Sequence, residues 1–438
     1  MDVENIPIPR LLLKMSPPVM LALLIQSIYN IADSFFVARY STEGLTALSI
    51  VYPVQLLITA LATGTGAGVN ILISRLDGRG ETEAQHHIIK SGLFLNTVHF
   101  LLFAFAGNVL ANAYFFISTG NAVVKVQGII YSKIVFCGSL GLFTESICTK
   151  ILQARGNMII PMIAQVTGAV VNIILDVILI FGTGHISALG ITGAAIATVI
   201  GQWVAMVITL IAVVKKYSLR GKIKWDACEQ IYANGSGSII TQSLYTIYIV
   251  GLNMILKLFT EDAVTVLGIY YKIQSFFFIP LLGFQQVLLP LFSYHYGAGD
   301  SQRNREILKC SMMFSVGIMA VATGIFFLFP EKLVQIFSTE SAIVAIGKYG
   351  FPVISISFIF AGLTIVITSY LQGIEHIKLS LFIIVLRQIV LLVPLAWLFH
   401  FISLNAVWWT FPVTEIIASI AGIFIIAILH KHAVQADL

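Results

Sequence analysis

Four residues place hard-oxygen chemistry inside apolar runs: Asp33, Asn172, Asp176 and Thr198. A carboxylate in bilayer hydrocarbon costs at least ~2.5–3.5 kcal/mol on insertion scales, so its presence argues for a use. Asp33 lies six residues before Arg39, and Asp176 six before Gly182. Both expected helices run from inside to outside, so at 1.5 Å per residue both carboxylates sit ~9 Å below the outer boundary. Asn172 is one turn deeper than Asp176 on the same face, by i,i+4 spacing. Thr198 is nine residues into a helix that descends again, at a similar depth. Two carboxylates, an amide oxygen and a hydroxyl at one level can hold a Na⁺, or a proton shared between the acids. The alternative is that Asp33 faces interfacial water and Asp176 caps a loop.

A second polar group lies in the other half of the chain. Arg387 and Glu415 fall in two adjacent expected helices at levels close enough for a salt bridge that neutralises both. They have either a structural pairing or a part in substrate binding. Asn30, Gln55 and Gln274 are further polar residues placed to line a substrate cavity. Pro17 and Pro18 lie side by side in the first expected helix, where they break the backbone ladder and bend it. Lys133 and Glu145 share one expected helix but are too far apart along it to pair.

These residues need helices to carry them. The chain has 438 residues, of which 58% are hydrophobic and only 10% charged, with a mean hydropathy of +0.95. Soluble chains carry about 25% charge. A membrane helix needs roughly 20 apolar residues, and the stretches 44–74, 91–124, 177–214, 273–299, 349–374 and 388–414 hold no Lys, Arg, Asp or Glu. Gly, Pro and polar punctuation cuts the chain into twelve helices. They run over roughly 9–38, 45–74, 88–112, 122–150, 158–182, 189–215, 228–258, 263–294, 306–329, 341–371, 378–400 and 404–430. With the N-terminus inside, seventeen of the 25 basic residues fall in inside segments; only Arg39, Lys257 and Lys332 fall in outside loops. The positive-inside rule therefore puts both termini in the cytoplasm. Met1 to Arg10 lacks the n-region, h-region and cleavage site of a signal peptide and reads as a cytoplasmic lead-in.

Shifting the chain against itself by 219 residues aligns 27–156 with 246–375 without a gap. Tyr29 meets Tyr248, Gln55 meets Gln274, Ser74 meets Ser293, and Gly80 meets Gly299. Pro17-Pro18 falls opposite Ser236-Gly237. Six helices separate the copies, so they are parallel repeats about an axis along the membrane normal. The expected fold is all-α: twelve transmembrane helices in two six-helix lobes around a central cleft. The lobes are residues 1–215 and 226–438, joined by a basic cytoplasmic linker at 216–225 whose charges, Arg220 included, serve topology.

The repeat does not copy the acids, since Leu252 falls opposite Asp33 and Leu395 opposite Asp176. Gly64, Gly66 and Gly68 echo a phosphate loop, but no GK[ST] follows, and close helix packing is the better reading. His86-His87 lies in an expected polar loop without partners at metal spacing. Cys137, Cys148, Cys228 and Cys310 show no C-x-x-C pair and read as packing residues. The net charge of +5 lies in loops, which gives no reason to expect nucleic acid.

The run Gln153-Ala-Arg-Gly156, Pro161, Asn172-Ile-Ile-Leu-Asp176 and Gly190-Ile-Thr-Gly-Ala-Ala-Ile-Ala-Thr198 resembles the multidrug and toxic compound extrusion (MATE) family. So does Pro290-Leu-Phe-Ser-Tyr-His-Tyr-Gly-Ala-Gly299, with a weaker echo at Ser74 to Gly80. The resemblance covers essentially the whole chain. It implies alternating access and export of organic, often cationic and amphipathic compounds against Na⁺ or H⁺, with no cofactor and no catalytic residues. It also implies that Asp33, Asn172, Asp176 and Thr198 hold the coupling cation and that Pro18 is the helix-1 proline below the aspartate. A second cation site, known in one branch on helices 7 and 10, is not matched here: helix 7 offers Gln242, and the middle of helix 10 has no acid. The expected setting is a prokaryotic plasma membrane, with a monomer as the expected state. The main alternative is a flippase of lipid-linked precursors, which needs several basic residues; Lys133, Lys272 and Arg387 are those on offer. An intramembrane enzyme lacks any catalytic constellation, and a channel or scaffold has no specific support.

Overall fold

A computed structural model of the chain describes residues 6–184, 187–217 and 221–436. The first half holds α1 (Ile8–Tyr40), α2 (Thr42–Gly78), α3 (Thr82–Val109), α4 (Ala111–Ser118), α5 (Ala122–Gly138), α6 (Leu140–Ala154), α7 (Ile159–Phe181) and α8 (Ile191–Lys216). The second holds α9 (Trp225–Lys257), α10 (Glu261–Gly297), α11 (Ser301–Leu328), α12 (Pro330–Gln335), α13 (Ser341–Gly373) and α14 (Ile377–Val385). A π-helical turn (Leu386–Leu391), α15 (Leu392–His400), α16 (Leu404–Trp408) and α17 (Thr410–Ala436) complete it. Among the described residues eleven helical segments are long and apolar enough to cross a membrane, and α5 with α6, bent by 42°, supplies the twelfth. Large apolar side chains such as Phe116, Ile117, Leu328 and Phe401 stand exposed. Such a surface suits lipid and not water, and the chain is a multi-pass membrane protein.

The repeat is visible in the helix ends. Adding 219 to the bounds of α2, α3 and the α5–α6 span gives Glu261–Gly297, Ser301–Leu328 and Ser341–Gly373, the bounds of α10, α11 and α13. The caps repeat as well. The Ser41 hydroxyl accepts from the Gly44 amide at the start of α2, and Thr260 accepts from Ala263 at the start of α10, both at 3.1 Å. Each satisfies one donor left open by the first helical turn. Gly80 and Gly299 both take φ +74°, where a side chain is strained.

One repeat pair breaks that pattern in a testable way. Gly156 has φ +78°, and its counterpart Glu375 has φ +68°, the one non-glycine residue with positive φ among those described. Left-handed backbone costs an L-residue roughly 1–2 kcal/mol. Gly156→Ala is therefore expected to lower stability by about 1 kcal/mol, and Glu375→Gly to leave it unchanged or raise it. Thermal unfolding of the two variants in detergent checks the asymmetry.

Several features depart from the sequence expectations. The fourth span is broken at Ser139, where the Ser139 hydroxyl takes the Phe136 carbonyl (2.7 Å) and the Trp203 indole takes that of Gly138 (2.9 Å). Side chains inserted into the ladder are a standard cause of such a kink. His86 and His87 lie in the first turns of α3, not in a loop, and the Lys222 amide donates to His87 Nδ1 (2.9 Å). Arg220 of the linker lies outside the described residues.

The division of the chain also differs from the expected lobes. One compact unit spans Met15–Ile239; the other begins at Ile240 and includes residues 8–14. The boundary is not the linker at 216–225, because the first turns of α9 pack tightly on α2. A Cβ on Gly64 would lie 2.1 Å from Ile239, and one on Gly68 2.0 Å from the Ile231 carbonyl oxygen. Thus Gly64 and Gly68 serve helix packing, as expected. Each lead helix passes from one unit to the other near its breaking pair: α1 just before Pro17-Pro18, α9 just after Ser236-Gly237.

Candidate functional site

In the first unit the site begins with the packing of α7 on α8. A Cβ on Gly168 would sit 2.6 Å from the Gly201 carbonyl oxygen, and one on Gly201 would sit 2.7 Å from that of Gly168. The two backbones touch there because neither glycine has a side chain. Asn172 follows Gly168 by one turn, and Asp176 follows Asn172 by another. The i,i+4 spacing puts them on one buried face: Asn172 is 2% exposed and Asp176 0%. Ile174 and Val177 point away and are exposed.

Both carboxylate oxygens of Asp176, both amide atoms of Asn172 and Oδ1 of Asp33 are buried without a hydrogen-bond partner. Buried polar atoms are nearly always satisfied, so five orphans on three residues set this cluster apart from the surrounding packing. Asp33 on α1 lies within Coulombic range of Asp176. Tyr29, one turn below Asp33, is within range of both acids and of Glu145. On the other side, Gln55 donates to the Tyr131 hydroxyl (3.2 Å), which Thr198 of α8 also reaches. Gln202, one turn along α8 from Thr198, presents another buried unpartnered oxygen. Among the described residues no three or more His, Cys, Asp or Glu are placed to hold a metal ion together. The cluster is a mixed hard-oxygen set, a donor type that suits a proton or a hard cation.

Asp33, Asn172, Asp176 and Thr198 therefore fall on the three helices the sequence assigned to them. Gln55 joins them through Tyr131. Asn30 does not; it is exposed on α1, its carbonyl taken by the Ser34 hydroxyl (3.0 Å). Pro17 and Pro18 lie inside α1. Glu145 turns inward on α6, where Thr149 (2.6 Å) and Gln165 (3.5 Å) donate to it, and it does not pair with Lys133. Tyr29, Tyr131 and Gln202 were not singled out from the sequence as site residues. For Tyr29 a signal existed, since the repeat matches it to Tyr248.

In the second unit Leu252, opposite Asp33, is buried apolar core. The polar centre is elsewhere. Arg387 on the π-helical turn donates from Nε to Glu415 Oε1 of α17 at 2.5 Å. The pair borders a cavity of about 30 Å³ that Gln274, Tyr248 and Tyr271 also line. Gln55 and Gln274, matched in the repeat, thus each face the polar centre of their own unit.

With this geometry in place, comparison with known proteins is specific. The MatE family model matches residues 18–178 and again 238–398. The chain is 26% identical over 423 residues to the FAD transporter of Shewanella oneidensis, covering 95% of this chain and 93% of that protein. It is 25% identical over 425 residues to the multidrug export protein MepA of Staphylococcus saprophyticus, covering 94% and 92%. A MOP superfamily transporter from Pyrococcus furiosus shares the fold, with a TM-score of 0.89 over 98% of this chain and 97% of that one at 21% identity.

Proposed function

The chain belongs to the MatE family, whose members are transporters, and from that premise we propose that it is an antiporter that exports organic, often cationic and amphipathic compounds by alternating access, driven by inward movement of Na⁺ or H⁺. The observation that carries this reading is the set of buried unpartnered oxygens on Asp33, Asn172 and Asp176. In the outward-open state these oxygens meet outside water, and with Thr198 they take the cation. Neutralising the two carboxylates removes their mutual repulsion and lets α1 bend at Pro17-Pro18, close to where it leaves one unit for the other. That movement reshapes the first unit around the cluster and expels the compound. Return to the inward-open state releases the cation.

The same oxygens serve Na⁺ and H⁺, so both stay in the proposal. The basic residues favour a plasma-membrane protein with both termini cytoplasmic. A monomer without cofactor, nucleic acid or catalytic step completes the reading. Resemblance to the multidrug export protein MepA supports drug-like substrates. Resemblance to the FAD transporter favours a second class, anionic aromatic compounds.

The test is transport by purified protein in liposomes. An amphipathic fluorescent cation is loaded and followed under an imposed Na⁺ gradient, then under a pH gradient. Movement driven by one gradient names the coupling ion; movement indifferent to both contradicts antiport.

A further inference from the structure

The second unit carries a polar centre that the coupling cycle leaves unused. Arg387 sits on the π-helical turn Leu386–Leu391, beside Gln388, within a span that is otherwise α-helical. Such turns are rare and recur at functional sites. The guanidinium is a five-donor fork, yet among the described residues it makes one hydrogen bond, through Nε to Glu415 Oε1. That leaves the two terminal amino groups, the edge that grips an oxyanion through two parallel bonds. The contact with Glu415 uses one carboxylate oxygen; the other, Oε2, is buried without a partner. Gln388 Oε1 and Thr414 Oγ1 are buried and unpartnered too, and both residues line the same cavity. Gln388 is 6% exposed, Thr414 1% and Glu415 8%.

A pair made only for stability would close the fork on the carboxylate and satisfy its second oxygen. This one leaves donors and acceptors open around a cavity of about 30 Å³, space for about two waters or the compact head of a ligand. Next to it lies an aromatic wall. Tyr248 and Tyr271 line the cavity, and Tyr245, Tyr248, Tyr270 and Tyr271 contact one another with ring centroids 5.1–6.4 Å apart.

From this geometry we infer that the second unit binds planar aromatic compounds with a compact anionic head, a carboxylate or a phosphate, the head on the terminal edge of Arg387 and the ring against the tyrosines. Glu415 is the resident competitor: it holds Arg387 until a ligand oxyanion replaces it. Two centres of opposite preference then occupy one chain, cation-binding oxygens in the first unit and an anion-binding fork in the second. The assignment deepens the transporter reading and rests on it only for the ligand's route to the site. Binding itself needs no gradient, so it can fail while antiport stands, and the reverse.

The test is calorimetric titration of the purified full chain with one ring system carrying different heads: 2-naphthoate, 1-naphthyl phosphate and the uncharged 2-naphthamide. Wild type should bind at least one anion more tightly than the amide, and which one identifies the head. Arg387→Gln should weaken anion binding at least about tenfold and leave the amide unchanged. Glu415→Gln removes the competitor and should tighten the anion severalfold. The opposite signs are decisive, because a structural pair would respond to both changes in the same direction. Should Arg387→Gln fold poorly with Glu415 left unpaired, the double variant Arg387→Gln/Glu415→Gln keeps the site neutral and should fold without binding the anion. Anion binding that survives in Arg387→Gln or the double variant, no preference for an anion in wild type, or weaker anion binding in Glu415→Gln overturns the assignment.

Discussion

Asp176→Asn is expected to cut gradient-driven export at least about 100-fold while leaving the protein folded. Asparagine keeps the shape of the side chain and removes its charge. Asp176 is fully buried beside Asn172, and its carboxylate oxygens have no protein partner, so no other residue takes over its role. Two unit charges ~4 Å apart at an effective dielectric of about 20 attract by about 4 kcal/mol. A Na⁺ losing one of two carboxylates therefore loses roughly two to three orders of magnitude in affinity, at about 1.4 kcal/mol per decade. If the coupling ion is a proton, asparagine cannot take it at all. Asp33→Asn should act in the same direction. Export by either variant that still follows the ion gradient at wild-type strength would contradict the scheme.

Gly68→Val is expected to abolish the folded protein rather than one step of transport. A Cβ at Gly68 lies 2.0 Å from the Ile231 carbonyl oxygen and 3.1 Å from the Gly235 amide nitrogen. These are backbone atoms, which cannot rotate away as a side chain would. Across the same contact, a Cβ on Gly235 would lie 2.3 Å from the Gly64 carbonyl oxygen. Overpacking a core costs about 1–3 kcal/mol when side chains can adjust; here α9 must leave α2. Gly317→Ala in α11 is the control, since nothing lies within 4 Å of its Cβ position. It should raise stability slightly, by about 0.5–1 kcal/mol of helix propensity. Size-exclusion profiles and thermal unfolding in detergent separate the two.

Which parts of this molecule could be read from its sequence follows from the range of the forces involved. Span positions were legible because a bilayer demands roughly 20 apolar residues wherever the chain crosses it. The repeat was legible because its offset of 219 is carried in part by turn residues such as Gly80 and Gly299, whose backbone roles are local. The Asn172/Asp176 face was legible because i,i+4 spacing is a property of one helix. Features that depend on a second helix were not. The break at Ser139 needs Trp203 from α8, and the unit boundary at Ile239 needs α9 to find the glycines of α2. The short helices α4 and α12 are too brief to show a period. Tyr131 looks like any aromatic in an apolar run until Gln55 and Thr198 meet its hydroxyl. Arg387 was legible as a partner for Glu415; that it uses one of its five donors in doing so depends on where α17 places that carboxylate.

The central claim is that the coupling ion is taken by the carboxylates of Asp33 and Asp176. Infrared difference spectroscopy of the purified protein tests it most directly, because ionised, protonated and cation-bound carboxyl groups absorb at different frequencies. Spectra would be recorded on adding Na⁺ at fixed pH and on lowering pH without Na⁺, for wild type and for the Asp33→Asn/Asp176→Asn double variant. The account predicts carboxyl difference bands in wild type under at least one of the two conditions, and their loss in the double variant. Bands of undiminished size in the double variant, or none in wild type, would place ion coupling elsewhere and contradict it.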